Sequence, residues 1–156
     1  MTVKKTKLLL FTIGYEKAKS DAVLRELAAA KVDILVDVRA VAASRRPGFS
    51  KRQLAASLDE HGIAYLHLRV LGTPKEGRLA ARAGNLDELF RIFEAHLKTA
   101  PAQEELDELT TLIRSGRRVC LLCYERDVAH CHRSRLAGLM HERTGVRIEN
   151  LIPRLF

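Results

Sequence analysis

Three short runs limit what this chain can fold into more than anything else in it. Leu8–Ile13 (LLLFTI), Ile34–Val38 (ILVDV) and Val119–Cys123 (VCLLC) are apolar almost throughout, without the polar alternation of a strand that has one wet face. They are too short to be buried helices and are rich in β-prone side chains, so they read as strands covered on both faces. Amphipathic stretches lie between them. Ser20 is placed to cap a helix carrying Leu24, Leu27 and Ala28, and Ser50 with Gln53 forms a capping box before Leu54, Ala55 and Leu58. Asn85 with Glu88 opens a helix striped by Leu89, Phe93 and Leu97, and Pro101 starts one carrying Leu106, Leu109 and Ile113. A last helix spans about Cys131 to Arg143, and Ile63–Leu68 and Val146–Leu151 add strands. Alternation of this kind predicts a single α/β domain over residues 1–156, with a mostly parallel sheet covered by helices on both faces. Between Arg69 and Asn85 the periodicity fails, and a long mobile loop, a lid or a disordered segment, is expected.

A chain of 156 residues, 47% of them apolar, suits one core. Lysine and arginine (27) exceed aspartate and glutamate (19) by 8, which favours an anionic ligand such as a nucleotide or nucleic acid. With no Trp and 5% aromatic residues, a platform that stacks successive bases is a poor fit. The three cysteines are too few for a disulfide-stapled secreted module and suit a reducing cytoplasm. Lys4, Lys5 and Lys7 precede an apolar run too short for a signal-peptide core, and no stretch approaches the roughly 18 apolar residues of a spanning helix. The expectation is a cytoplasmic protein with no membrane partner.

In an open parallel sheet, ligands bind outside the carboxyl ends of the strands. That rule gathers Tyr15 after the first strand, Arg39 after the second, and Cys123 with Glu125 after the fourth. Cys123 to Arg135 (CYERDVAHCHRSR) concentrates thiols, imidazoles, carboxylates and guanidiniums between a strand end and a helix start. Cations and helix-terminal amides there favour a thiolate, so Cys123 or Cys131 is the candidate reactive thiol and Glu125 and His132 the acid–base candidates. Arg133 at the helix start, with Tyr15, Arg39, Ser44, Arg45 and Arg46, forms the expected ligand-binding set, because guanidiniums and helix amides bind phosphate. Asp37 is expected to fix Arg39. Cys120, inside its strand, reads as a core thiol, and His130 as exposed. Cys123, Cys131 and His132 offer donors that suit zinc, but C-x7-C-H is not one of the paired short-spacer signatures. The sequence therefore assigns no metal ion, names no cofactor and fixes no oligomeric state.

Five segments in order carry a resemblance: TIGY (Thr12–Tyr15), LVDVR (Leu35–Arg39), SRRPGF (Ser44–Phe49), HGIAYLHLRVLG (His61–Gly72), and LLCYERD with CHRSRLA (Leu121–Ala137). Together they resemble the uncharacterised family known as domain of unknown function 488, across almost the whole chain. The resemblance implies one Rossmann-like α/β domain and brings no established reaction. Family members commonly have proline soon after the DVR element, where this chain has Ala40–Ala43, and often histidine where it has Tyr15. There is also a remote similarity to rhodanese-like domains, without their compact glycine-containing cradle. A phosphatase pattern fails, since its arginine would fall at Ala137. The favoured reading is an enzyme-like domain acting on a phosphate-bearing ligand. The alternatives are a noncatalytic nucleic-acid or nucleotide-binding module and a rhodanese-like sulfur carrier.

Overall fold

The computed structural model describes residues 8–155. The amino-terminal lysines weighed above lie outside them. The strands are β1 (Leu9–Gly14), β2 (Ile34–Asp37), β3 (Ala64–His67), β4 (Val119–Cys123) and β5 (Arg147–Leu151). They form one five-stranded sheet in the order β3-β2-β4-β1-β5, every neighbouring pair parallel. The helices are α1 (Ser20–Ala29), α2 (Lys51–Glu60), α3 (Lys75–Arg82), α4 (Leu86–Leu97), α5 (Ala100–Arg114) and α6 (Arg133–Thr144).

The strand order dictates how the helices divide. Crossovers between parallel strands are right-handed, so connections that travel in opposite directions along the sheet lie on opposite faces. From β1 to β2 and on to β3 the chain moves one way, and from β3 to β4 and on to β5 it moves back. Two cores result. Phe11, Ile13, Leu35, Cys120 and Leu122 face Val23 and Leu27 of α1 and Leu54 and Leu58 of α2. Leu10, Val36, Val119 and Leu121 face Phe93 of α4, Leu106 and Leu109 of α5 and Leu136 and Met140 of α6. Successive residues of one strand thus enter different cores, which is why these strands are apolar without alternation. Each fully buried Leu, Ile or Phe contributes about 1.5–3 kcal/mol of transfer free energy.

The outer strands β3 and β5 are largely half-exposed or exposed, and the burial of β1, β2 and β4 is nearly complete. Among the described residues no helix is long and apolar enough to cross a membrane.

Three local expectations are corrected. The segment expected to be a loop from Arg69 to Asn85 is ordered: a short 3-10 turn at Arg69–Leu71 leads to α3. Its glycines and proline serve packing and helix entry. Pro74 precedes the first turn of α3, and a Cβ on Gly77 would stand 2.6 Å from Thr73 Cγ2. The 3-10 turn is tied to the body by the Val70 amide, which donates to Glu105 (3.0 Å), and by the Val70 carbonyl, which accepts from His96 Nε2 (2.6 Å). Ser20 does not cap α1 but is its first residue, and it packs against Gly48, whose φ is +87°. Ser50 does precede α2, yet its hydroxyl bonds both backbone groups of Ser44, and Gln53 accepts from the Gly48 amide. The turn before the helix has taken the groups that a capping box would use. Asn85 does cap α4 through the Glu88 amide (3.2 Å).

Candidate functional site

The topology points to one strand end. β4 lies between β1 and β2, and the chain leaves those two neighbours toward one face and leaves β4 toward the other. The divergence opens a crevice at the carboxyl end of β4, the switch point where ligands bind in open α/β sheets. Cys123 is the last residue of β4, aligned with Gly14 of β1. Two adjoining hollows lie here, of about 150 Å³ and about 370 Å³, and both are bordered by Thr73, Arg78, Tyr124, Glu125 and His132. Tyr15, Arg39 and Cys123 line the smaller one, and Arg82, His130 and Cys131 the larger.

Cys123, Cys131 and His132 are all buried, and their donor atoms lie within 4.8 Å of one another. Cys123 and Cys131 are joined as a disulfide, their Cα atoms 7.4 Å apart. Cys131 Sγ is 3.6 Å from His132 Nδ1, and His132 Nε2 is 2.7 Å from the Val38 carbonyl. A carbonyl only accepts, so Nε2 carries the proton and Nδ1 turns its lone pair toward the sulfurs. Burial pushes the His132 pKa down to about 4, against the bond to Val38, and the ring is neutral at ordinary pH. The edge of the imidazole meets the Phe93 ring at 5.2 Å between centroids.

Arg133 stands behind this cluster. It is 1% exposed, although it opens a helix. Its Nη1 donates to Cys123 Sγ (2.7 Å) and to the Glu125 carbonyl, Nη2 to the Arg126 carbonyl (3.2 Å), and Nε to Thr12 Oγ1 (3.3 Å). Thr12 in turn donates to Asn150 on β5 (2.6 Å). The loop after β4 approaches so closely that a Cβ on Gly14 would fall 1.7 Å from the Glu125 carbonyl oxygen. Here glycine is required by close backbone approach. The Glu125 carboxyl is 3.5 Å from Cys123 Sγ, and burial raises its pKa above the usual carboxylate range, with Arg133 acting the other way.

The second basic group is built into the wall. Asp37 is fully buried and accepts from Arg39 Nε (2.9 Å), Arg39 Nη2 (2.7 Å), the Arg39 amide (3.0 Å) and the Tyr65 hydroxyl (2.5 Å). Burial by itself lowers the Arg39 pKa, but the bonds and charge of Asp37 outweigh it and hold the guanidinium firmly charged. Burial and the bond to Asp37 both push the Tyr65 hydroxyl upward. Arg39 Nη1 reaches Tyr15 Oη (3.1 Å) and the Phe49 carbonyl (2.8 Å), and the Tyr15 ring stacks on Phe49 at 4.3 Å.

The cleft therefore brings together Tyr15, Arg39, Cys123, Glu125, Cys131 and His132. It does not include Ser44, Arg45 or Arg46 in its lining. Arg46 bonds the carbonyls of Tyr15 (3.0 Å) and Ala18, Ser44 Oγ accepts the Arg46 amide (3.1 Å), and Arg45 is exposed. Arg133 contributes to a different hollow, beside Arg126 and Asn150. His130 is exposed and Cys120 is 0% exposed in its strand. Sequence reasoning missed Thr73, Arg78, Arg82 and Tyr124. Arg78 and Arg82 are spaced i, i+4 on α3 and thus share a helix face; that spacing was legible, but only to a reading that accepted a helix there.

No curated protein and no solved structure matches this chain. A family model does: the one described as domain of unknown function DUF488 matches residues 19–140, which hold β2, β3, β4 and nearly all of the cleft. The chain belongs to that family.

Proposed function

We propose that this domain is an enzyme acting on a phosphate-bearing ligand, a nucleotide or a nucleic acid, at the carboxyl end of β4. The observation that carries the reading is the convergence on one cleft of Cys123, Cys131, His132 and Glu125 with two arginines of α3, Arg78 and Arg82. A noncatalytic anion-binding module needs the arginines but has no use for a buried sulfur and imidazole cluster beside them.

Division of labour follows from the partners each group already has. Asp37 and protein carbonyls occupy Arg39, and Arg133 has four acceptors of its own, so both act as scaffolding that fixes charge near the cleft. Arg82 is exposed, and Arg78 commits Nη1 to the Thr73 carbonyl (2.8 Å) while lining both hollows. These two receive the anion, their forks suiting phosphate oxygens. Tyr124, 45% exposed at the rim, offers a ring to a base or sugar. The Cys123/Cys131/His132 cluster is the reactive centre. Glu125, in reach of Cys123 Sγ, is the group that takes up or delivers a proton there.

Binding of nucleoside phosphates and of short single-stranded and duplex nucleic acids, measured at several salt concentrations, tests the ligand class. Affinity should fall as salt rises, and Arg78→Ala with Arg82→Ala should flatten that dependence. Cys123→Ser should leave binding within about a factor of a few while abolishing turnover of any ligand found, because it changes one small buried group. Salt-independent binding, or none, removes the phosphate ligand. Undiminished turnover in Cys123→Ser removes the sulfur centre.

A further inference from the structure

We propose that Cys123, Cys131 and His132 bind a zinc-class divalent metal ion in a three-ligand site whose remaining position opens to the cleft. This deepens the reading above by naming its reactive centre, and it is tested without turnover.

The donor set selects the metal. Two thiolates and an imidazole suit zinc and its tetrahedral analogues and exclude magnesium and calcium, which demand oxygen. The structure joins the two sulfurs as a disulfide, so the metal takes the reduced dithiol form, and the sulfur-to-nitrogen spacing already agrees. Zn–S of about 2.3 Å and Zn–N of about 2.0–2.1 Å at a tetrahedral angle place sulfur and nitrogen about 3.6 Å apart. Cys131 Sγ and His132 Nδ1 are 3.6 Å apart. The cysteine backbones agree as well. Their Cα atoms are 7.4 Å apart, beyond the roughly 4.4–6.8 Å that a disulfide ordinarily spans, whereas a metal between the sulfurs accommodates the wider reach.

The surroundings carry the second half of the case. A metal-binding histidine typically donates its other N–H to a carbonyl or carboxylate, which fixes the tautomer and aims the free nitrogen. His132 does this with the Val38 carbonyl at 2.7 Å, leaving Nδ1 facing the sulfurs. Arg133 donates to Cys123 Sγ at 2.7 Å, a contact that stabilises the thiolate once the pair is reduced. Two thiolates buried together would carry two negative charges against that one guanidinium; a dication neutralises them, and burial of the cluster then costs far less. Access is provided, since Cys123 borders one hollow, Cys131 the other and His132 both. Three protein ligands beside open space is the pattern of a catalytic zinc site, in contrast to a closed structural one.

The test is cobalt(II) titration of the reduced, metal-free full chain, with zinc content measured on the purified protein. One cobalt per chain should bind, with sulfur-to-cobalt charge transfer and the strong visible bands of a tetrahedral site, and zinc should displace it. Cys120→Ser should change nothing. Cys123→Ser, Cys131→Ser and His132→Gln should each weaken binding by at least about a hundredfold, the upper end of what loss of a mere supporting residue costs. In case a variant fails to fold, alkylation of the unaltered protein gives a second measure: zinc should protect Cys123 and Cys131 together. A reduced, folded protein that takes up no cobalt or zinc would overturn the site, as would equal alkylation with and without zinc. Turnover lost in Cys123→Ser without metal uptake would leave a thiol-centred enzyme standing. Metal uptake without any phosphate-ligand binding would do the reverse.

Discussion

Asp37→Ala should be among the most damaging single changes in the molecule. The carboxylate is 0% exposed and takes four hydrogen bonds, three of them from Arg39, itself 6% exposed. Removing it leaves a buried guanidinium with only the Tyr15 hydroxyl and the Phe49 carbonyl as acceptors. Breaking a buried pair from one side costs about 3–5 kcal/mol. Tyr65 loses its acceptor too, but its ring is only partly buried and water can replace the bond, so it adds little. For a domain of this size 1 kcal/mol shifts Tm by about 2–4 °C, and the expected fall is about 6–20 °C. Urea denaturation of the single variants and of Asp37→Ala with Arg39→Met gives the coupling. Because the double variant removes the stranded charge as well, it should be more stable than additivity predicts by about 2–3 kcal/mol. Should Asp37→Ala be too unstable to purify, Asp37→Asn keeps the volume and one acceptor and should show the same sign at smaller size. A loss under about 1 kcal/mol, or additive single and double changes, would refute the reasoning and return Arg39 to the set of groups free to bind a ligand.

Other consequences concern the cluster and its wall. Gly14→Ala should destabilise the fold and impair metal binding together, because a Cβ 1.7 Å from the Glu125 carbonyl oxygen must push back the loop that anchors Arg133; a variant matching wild type in both denaturation and cobalt affinity would contradict this. In the metal-free protein, His132 should make stability fall as pH drops. Its folded pKa is depressed to about 4 from an ordinary 6.5, so the unfolded chain takes the proton first. Stability is then full above about 6.5 and declines by about 1.4 kcal/mol per pH unit until about 4, roughly 3 kcal/mol in all. His132→Gln should lack that part of the slope in parallel denaturation series. Burial raises the Cys120 thiol above its ordinary pKa, so it should alkylate only as fast as the protein opens, with a rate that rises with denaturant; fast native-state labelling would disprove the assignment to the core.

What the sequence disclosed and what it hid divide along a physical line. Continuous apolar runs exist because each strand feeds two cores, so β1, β2 and β4, their parallel pairing and the position of Cys123 at a strand end were all legible from a few residues. The pairing of Asp37 with Arg39 was legible too, since they sit two apart at the same strand end. Hydrogen-bond competition was not. Ser50 and Gln53 have the letters of a capping box, but the preceding turn brings Ser44 and Gly48 close enough to use both side chains first. Nor could the chain's local pattern show α3, because a short helix with Gly77 in its first turn gains its stability from packing on α4 and not from its own propensity. That omission bore directly on function. Arg45 and Arg46 stand out in the sequence because they follow the second strand in a basic segment, whereas the fold turns Arg46 inward to hold the chain after β1 and places Arg78 and Arg82 on the hollow that Cys131 borders. In a basic chain any arginine can be nominated as an anion contact, and only the carbonyls and carboxylates it already satisfies decide which ones remain to receive a ligand.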